Sequence, residues 1–127
     1  MSFTSKLDAM NQPQLISPTP GKREMTVLMS HAWNCYPSGL RRELEAGADP
    51  NAQDQNGYTA LMWLCRMYDR CFRERKRMFR RLIAHGASIE VLDTAGRDLL
   101  SQAKDGPERR FRRFVEQEVR RIRRTKQ

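Results

Sequence analysis

The chain has 127 residues, of which 39% are hydrophobic and 31% charged, and its 24 Lys and Arg against 15 Asp and Glu give a net charge of +9. This length suits one domain with a modest core, and no apolar run is long enough to predict a membrane-spanning helix. The first residues, Met1 to Met10, are polar and charged, so we expect no secretory signal and a cytoplasmic protein.

Three cysteines occur at Cys35, Cys65 and Cys71. An odd number without a secretory signal is typical of free thiols in a reducing compartment. Each cysteine lies among helix-favouring residues, so we predict that each is a small buried side chain rather than a cross-link.

Residues 1–24 are predicted to form an N-terminal extension that is partly flexible or caps one end of the core. Apolar spacing over 4–11 is compatible with a short helix. From 11 to 21, Pro13, Pro18 and Pro20 instead favour an extended linker.

From Thr26 onward the chain repeats itself. The segment Thr26–Ala32 aligns with Thr59–Cys65, which lies 33 residues later. The segment 43–49 aligns with 82–88 at an offset of 39 residues, and a third start follows at 93–100. A period of 33 residues, lengthened once by six, predicts a repeat architecture.

The repeated residues resemble the ankyrin repeat. The segments Gly47–Asn51 (Gly-Ala-Asp-Pro-Asn), Asp54–Gly57 (Asp-Gln-Asn-Gly) and Thr59–Leu61 (Thr-Ala-Leu) match the family pattern closely. Gly86–Glu90 and Asp93–Gly96 are weaker copies. The resemblance covers about 25–124 and implies an all-α fold, an ankyrin-repeat solenoid of stacked helix-turn-helix pairs with short projecting hairpin loops. The domain would span 25–127, with repeats at about 25–53, 54–92 and 93–124.

The chain departs from the family pattern at three positions of each repeat. The proline after threonine is replaced by Val27, Ala60 and Leu99. The histidine is replaced by Met29, Met62 and Ser101, so the family's Thr–His bonding is absent. Cys35 and Tyr68 replace the glycine between paired helices.

Local chemistry supports the matched positions. Thr26, Thr59 and Asp98 each precede a predicted helix, where a side-chain oxygen can accept a hydrogen bond from a free backbone N–H. Gly47 and Gly86 follow apolar runs, where a helix can end in a left-handed residue. Trp63 falls on an inward-packing position, so we predict that it is part of the core.

The positive charge is concentrated on two predicted helices. Residues 70–85 and 107–127 each carry a net charge of +6, whereas the rest of the chain is net negative. The second helix begins near Pro107 and has an apolar stripe of Phe111, Phe114, Val115, Val119 and Ile122. In an ankyrin-like stack the two helices would be neighbours on the convex side. We predict a basic surface of Arg73, Arg75, Lys76, Arg77, Arg80, Arg109, Arg110, Arg113 and Arg120; the alternative is a merely solvated face.

The sequence predicts neither catalysis nor a cofactor. His31 and Cys35 have a spacing that could share a metal, but no second pair completes a ligand set, so we predict no metal site. Only His31 and His85 could serve as a base for a Cys or Ser nucleophile, and no catalytic or phosphate-loop motif occurs. We therefore expect a protein without enzymatic activity.

The ankyrin resemblance implies protein–protein interaction through the concave face and the hairpin tips. The matching positions are Trp33, Asn34, Gln55, Asn56, Tyr58, Arg66, Met67, Thr94 and Arg97. Trp33 could instead pack under the N-terminal segment. The expected partner is an acidic protein, and short stand-alone ankyrin proteins suggest by analogy an inhibitor or an effector delivered into a host cell. The alternative is sequence-independent nucleic-acid binding through the two Arg-rich helices, without base readout; an anionic membrane surface is a further possible target of the basic face.

Overall fold

The computed structural model describes residues 25–67 and 71–125, and within these ranges the regular secondary structure is entirely helical. The six helices are α1 (Val27–Trp33), α2 (Pro37–Glu45), α3 (Ala60–Cys65), α4 (Phe72–Ala84), α5 (Leu99–Asp105) and α6 (Arg109–Thr125). The prediction of an all-α fold is confirmed. The short helix and the proline-rich linker predicted for the extension lie outside the described residues.

The helices form two layers. Consecutive helices pair as α1 with α2, α3 with α4 and α5 with α6. In the first layer, α1 contacts α3 and α3 contacts α5. In the second layer, α2 contacts α4 and α4 contacts α6. The core lies between the layers and includes Leu28, Leu61, Phe79 and Leu99, each at most 1% exposed.

The first-layer helices begin at the residues that the sequence predicts. Thr26 Oγ1 accepts a hydrogen bond from the Met29 amide at 3.1 Å, and Thr59 Oγ1 accepts one from the Met62 amide at 3.4 Å. Asp98 Oδ1 accepts the equivalent bond from the Ser101 amide at 3.0 Å. Each such cap stabilises a helix by about 1 kcal/mol, so these three residues fix where the first layer starts.

Two hairpin loops with the same internal hydrogen bonds precede α3 and α5. Asp54 Oδ1 accepts bonds from the amides of Asn56 and Tyr58, each at 2.9 Å. Asp93, which lies 39 residues later, accepts bonds from the amides of Ala95 and Arg97 with the same lengths. The loops therefore share one conformation, and they lie side by side because the Thr94 amide donates to the Asn56 carbonyl at 3.0 Å.

The cysteines differ from the prediction of three free thiols. Cys65 is free and buried, as expected. Cys35 and Cys71 instead form a disulfide, with Cα atoms 6.3 Å apart, that joins the chain before α2 to the chain before α4. Both residues have positive φ, 59° and 58°, so each occupies a left-handed position at the start of a second-layer helix. The expectation that Cys35 replaces a glycine agrees with this conformation.

Candidate interaction surface

A row of aromatic side chains lies on the first layer. Trp33, at the end of α1, contacts Trp63 of α3 edge to face, with ring centroids 5.2 Å apart. Trp63 contacts Tyr58 of the first hairpin loop in the same manner at 5.8 Å. Trp33 is 37% exposed, whereas Tyr58 and Trp63 are half-buried. The prediction that Trp63 belongs to the core is therefore wrong in part: one side of its ring packs on the core and the rest contributes to the surface.

The orientation of Trp63 is set by the hairpin loop. Its indole Nε1–H donates to Asp54 Oδ2 at 3.0 Å. The same carboxylate accepts two loop amides through its other oxygen, so one aspartate shapes the loop and holds the ring. A tryptophan fixed in this way loses little rotamer freedom when a partner covers it, which favours binding.

Arg66 continues the aromatic row towards α5. Its guanidinium lies over the Tyr58 ring, 5.1 Å from the centroid. Its Nη1 donates to Gln102 Oε1 at 2.8 Å, which connects α3 to α5. Tyr58, Trp63 and Arg66 thus form one continuous surface that begins at Trp33, and the buried Gln102 holds Arg66 at its other end.

The third helix pair repeats this arrangement with charged groups. Arg97 stands 39 residues after Tyr58, and Asp105 stands 39 residues after Arg66; Arg97 Nη1 contacts Asp105 Oδ2 at 3.0 Å. Gln102 replaces Trp63 and donates to Asp93 Oδ2 at 2.6 Å. The first-layer surface is therefore aromatic at the first two helix pairs and ionic at the third.

Asp93 is the electrostatic centre of the ionic end. Burial raises the pKa of its carboxyl, but hydrogen bonds from the Arg97 and Ala95 amides and the Gln102 side chain, together with the Arg97 charge, lower the pKa below its usual value. The carboxylate is consequently ionised at neutral pH and holds the loop and the Arg97 side chain in place.

Most of the predicted contact residues face solvent. Asn34, Gln55, Asn56 and Thr94 are exposed, and Tyr58, Arg66 and Arg97 are half-buried. Met67 is the exception, because it is 2% exposed and packs in the core. The predicted role of Met67 in partner contact is therefore wrong, because its side chain is buried just after α3 ends at Cys65.

Arg75 does not belong to the basic surface that the sequence predicts. Its side chain is fully buried and forms an ion pair with Glu108, next to the start of α6. Its Nη1 donates to the Leu64 carbonyl at 3.3 Å, and its guanidinium lies 4.4 Å from the centroid of Phe111. Arg75 therefore connects the two Arg-rich helices to each other and to α3, and this structural role replaces the predicted surface role.

The helical period contains a signal for the burial of Arg75. Arg75, Met78, Phe79 and Leu82 are spaced as one face of a helix, and all four are buried. A basic residue within an apolar stripe indicates a buried charge with a partner, and Glu108 immediately precedes the other basic helix, α6.

The remaining residues of the predicted basic surface differ in how freely their charges face solvent. Lys76 is half-buried over the Phe72 ring, and Arg110 lies 4.1 Å from the same ring and bonds Glu108. Arg80 lies 3.6 Å from Glu118 and over the Phe114 ring. The exposed side chains with no ion pair among the described residues are Arg73, Arg77, Arg109, Arg113 and Arg120.

The chain matches no protein-family model, and no curated protein is significantly similar to it. Among the described helices, none is both long and apolar enough to cross a lipid bilayer.

Proposed function

We propose that the chain is a non-enzymatic protein-interaction module that binds, and inhibits or recruits, a partner protein through the first-layer surface. The observation that carries the proposal is the connected row of Trp33, Trp63, Tyr58 and Arg66, which is accessible yet fixed by ring contacts and hydrogen bonds. Tryptophan, tyrosine and arginine are the residue types that most often dominate binding energy at protein interfaces.

We further propose that the module is an ankyrin-repeat solenoid. Three features support this proposal: the capped first-layer helices, the two hairpin loops of one conformation, and the positive φ of Gly47 and Gly86, 98° at each. Each helix pair falls within one of the repeats predicted from the sequence. In such an array each repeat contacts only its neighbours, which agrees with the order of the two layers. The first layer with its loops would then be the concave face.

The second layer supplies a basic convex face to this module. Exposed arginines on α4 and α6 give it a positive potential, while the first-layer surface pairs its own charges at Arg97 and Asp105. A positive potential speeds encounter with an acidic protein but contributes less to the lifetime of the complex. The expected partner is therefore acidic, and we expect the aromatic row to determine its dissociation rate.

Partner capture tests the proposal. The tagged chain is used to retain proteins from native lysate, with and without nuclease, and the retained proteins are identified by mass spectrometry. We expect one stoichiometric protein that survives nuclease and whose dissociation rate rises at least tenfold with Trp33→Ala. Glu45→Ala is the control, since this exposed residue ends α2 on the second layer, outside the predicted binding surface. Equal capture by the parent and the Trp33 variant would reject the aromatic row as the binding surface.

Nucleic-acid binding is the second candidate, and the exposed face of α6 favours it. Arg109, Arg113, Arg120 and Arg124 are all exposed, and their spacing places them along one side of the helix. No aromatic side chain is exposed among them, so such binding would depend on phosphate contacts alone and would be independent of base sequence.

Salt dependence distinguishes the two candidates. If α6 tracks phosphates, replacing Arg113 and Arg120 by Gln should reduce the slope of log Kobs against log salt by roughly two for a DNA duplex. Trp33→Ala should leave that binding unchanged. Loss of all retained material after nuclease would favour this candidate over the interaction module.

A further inference from the structure

A basic pocket lies on the second layer, in the groove between α2 and α4. Its volume is about 180 Å³. Three arginines line it, Arg41 from α2 and Arg77 and Arg81 from α4, together with Ser38 and the apolar side chains of Leu40 and Met78. No acidic side chain is among the lining residues, although 15 occur in the chain.

The three arginines differ from those on the opposite side of α4. Arg75 and Arg80 face α6 and form ion pairs with Glu108 and Glu118. Arg41, Arg77 and Arg81 form no ion pair within the described residues. Arg77 and Arg81 are also one helical turn apart, so their charges repel each other. An anion between them would relieve this repulsion.

The start of α2 adds to the positive potential of the pocket. Pro37 occupies the first turn of this nine-residue helix, and Ser38 follows it. The N-cap residue Tyr36 forms no side-chain capping bond to the helix. Uncapped amides at a helix start carry a partial positive charge and favour anions.

We propose that this pocket binds the phosphate group of a soluble phosphomonoester. Such a group carries a charge of about −1.5 to −2 at pH 7 and three acceptor oxygens, which suits three guanidinium groups better than a singly charged carboxylate does. Arginine donates pairs of hydrogen bonds to phosphate oxygens. The pocket has the volume of about six water molecules, so a phosphate with a small organic group fits, and the partly exposed Pro37 offers that group an apolar contact. This site is separate from the first-layer surface and does not depend on its function.

Titration of the ¹⁵N-labelled chain with phenyl phosphate at constant ionic strength tests the proposal. We expect saturable shifts of the backbone signals of Ser38, Gly39, Arg77 and Arg81, and weaker saturable shifts with inorganic phosphate. Arg77→Gln and Arg81→Gln should each raise the Kd about tenfold, since each removes a charge-assisted hydrogen bond. Arg113→Gln, at an exposed position on α6, is the matched control and should leave the Kd unchanged. All three substituted side chains are solvent-exposed, and thermal unfolding of each variant verifies that it folds.

Several results would overturn the proposal. Shifts that rise linearly with concentration, or an equal loss of affinity in the Arg113 control, would mean general charge screening. Dimethyl phosphate binding as tightly as phenyl phosphate would indicate recognition of a phosphodiester such as a nucleic-acid backbone. Retention on vesicles containing phosphatidic acid that phenyl phosphate does not compete away would indicate a membrane headgroup instead of a soluble ligand.

Discussion

Replacement of Glu108 by Gln tests the buried ion pair that connects the two basic helices. The substitution keeps the side-chain shape but removes the Glu108 carboxylate from its ion pair with the fully buried Arg75 guanidinium. Breaking a buried pair by removing one partner typically costs 3–5 kcal/mol, because the remaining charge stays in a poorly solvated site. A small domain has only about 5–15 kcal/mol of total stability. The loss should lower Tm by about 12 °C or more.

The double variant Arg75→Met with Glu108→Gln separates the cost of breaking the ion pair of a buried charge from the cost of lost packing. Methionine can fill the space against Phe111 without a charge, so we expect the double variant to be more stable than Glu108→Gln alone. Urea unfolding followed by circular dichroism, with the disulfide intact, gives the free energy of each variant. The exposed pair Arg112–Glu116, 3.1 Å apart, is the matched control and should contribute under about 1 kcal/mol. A loss of unfolding free energy below about 1 kcal/mol for Glu108→Gln would refute this account of the pair. The account would also be refuted if the losses of Arg75→Met alone and Glu108→Gln alone add up to the loss of the double variant.

Three further outcomes follow from the loops and the thiols. Gly57 and Gly96 have nearly the same φ, 79° and 78°, but a Cβ at Gly57 would lie 2.6 Å from a backbone nitrogen of the second loop, whereas a Cβ at Gly96 meets nothing within 4 Å. Chemical denaturation should therefore show that alanine at Gly96 costs about 1–2 kcal/mol of left-handed strain, and that alanine at Gly57 costs at least about 1 kcal/mol more. The lowered pKa of Asp93 contributes stability that is complete above the pKa of the unfolded state, near 3.9, and is lost as pH falls towards the lower pKa of the folded state. In Asp93→Asn the free energy of unfolding should depend less steeply on pH between about pH 5 and 2. An unchanged slope would mean that the Asp93 carboxyl does not couple to folding. Burial raises the pKa of the Cys65 thiol to about 12, so a disulfide-exchange reagent such as Ellman's reagent should label the native oxidised chain only as fast as it unfolds. Rapid labelling of Cys65 without unfolding would contradict its buried position.

Local chemistry explains which parts of the fold the sequence predicts well. The N-caps of the first-layer helices depend on contacts between residues three positions apart, so Thr26, Thr59 and Asp98 could be identified from the sequence alone. The positive φ of Gly47 and Gly86 is equally local. The apolar stripe of α6 was also predicted correctly: Phe111, Phe114, Val115 and Val119 are buried and Ile122 is partly buried.

The parts that the sequence predicts poorly depend on contacts between distant elements. Net charge places seven basic residues on the first Arg-rich segment without separating them, although the helical period puts Arg75 on the apolar face of α4 and Arg77 outside it. The disulfide joins residues 36 positions apart, which lie close because each precedes one of two adjacent second-layer helices, α2 and α4. An odd number of cysteines does not exclude a disulfide, because two can pair while the third stays free in the core.

Some surface residues can be identified from the sequence, whereas others depend on tertiary contacts. The family pattern identifies Trp33, Tyr58 and Arg66 because their positions in the repeat are surface positions. It does not reveal that the Asp54 carboxylate turns the Trp63 indole outwards to join them, because that bond links a loop to a helix nine residues later. Trp63 therefore extends the row as a consequence of tertiary structure.

The link between Cys35 and Cys71 also makes the mechanical behaviour of the chain uneven. It closes a loop of 36 residues and, by the loop-entropy account, contributes about 4 kcal/mol against unfolding of the segment it encloses. A load applied to the two ends cannot extend that segment until the bond is reduced. Among the described helices, α2 and α3 lie inside the loop and the other four outside it, so under oxidising conditions tension should extend only the outer helices. After a reductant cleaves the disulfide, tension can also extend the segment between Cys35 and Cys71.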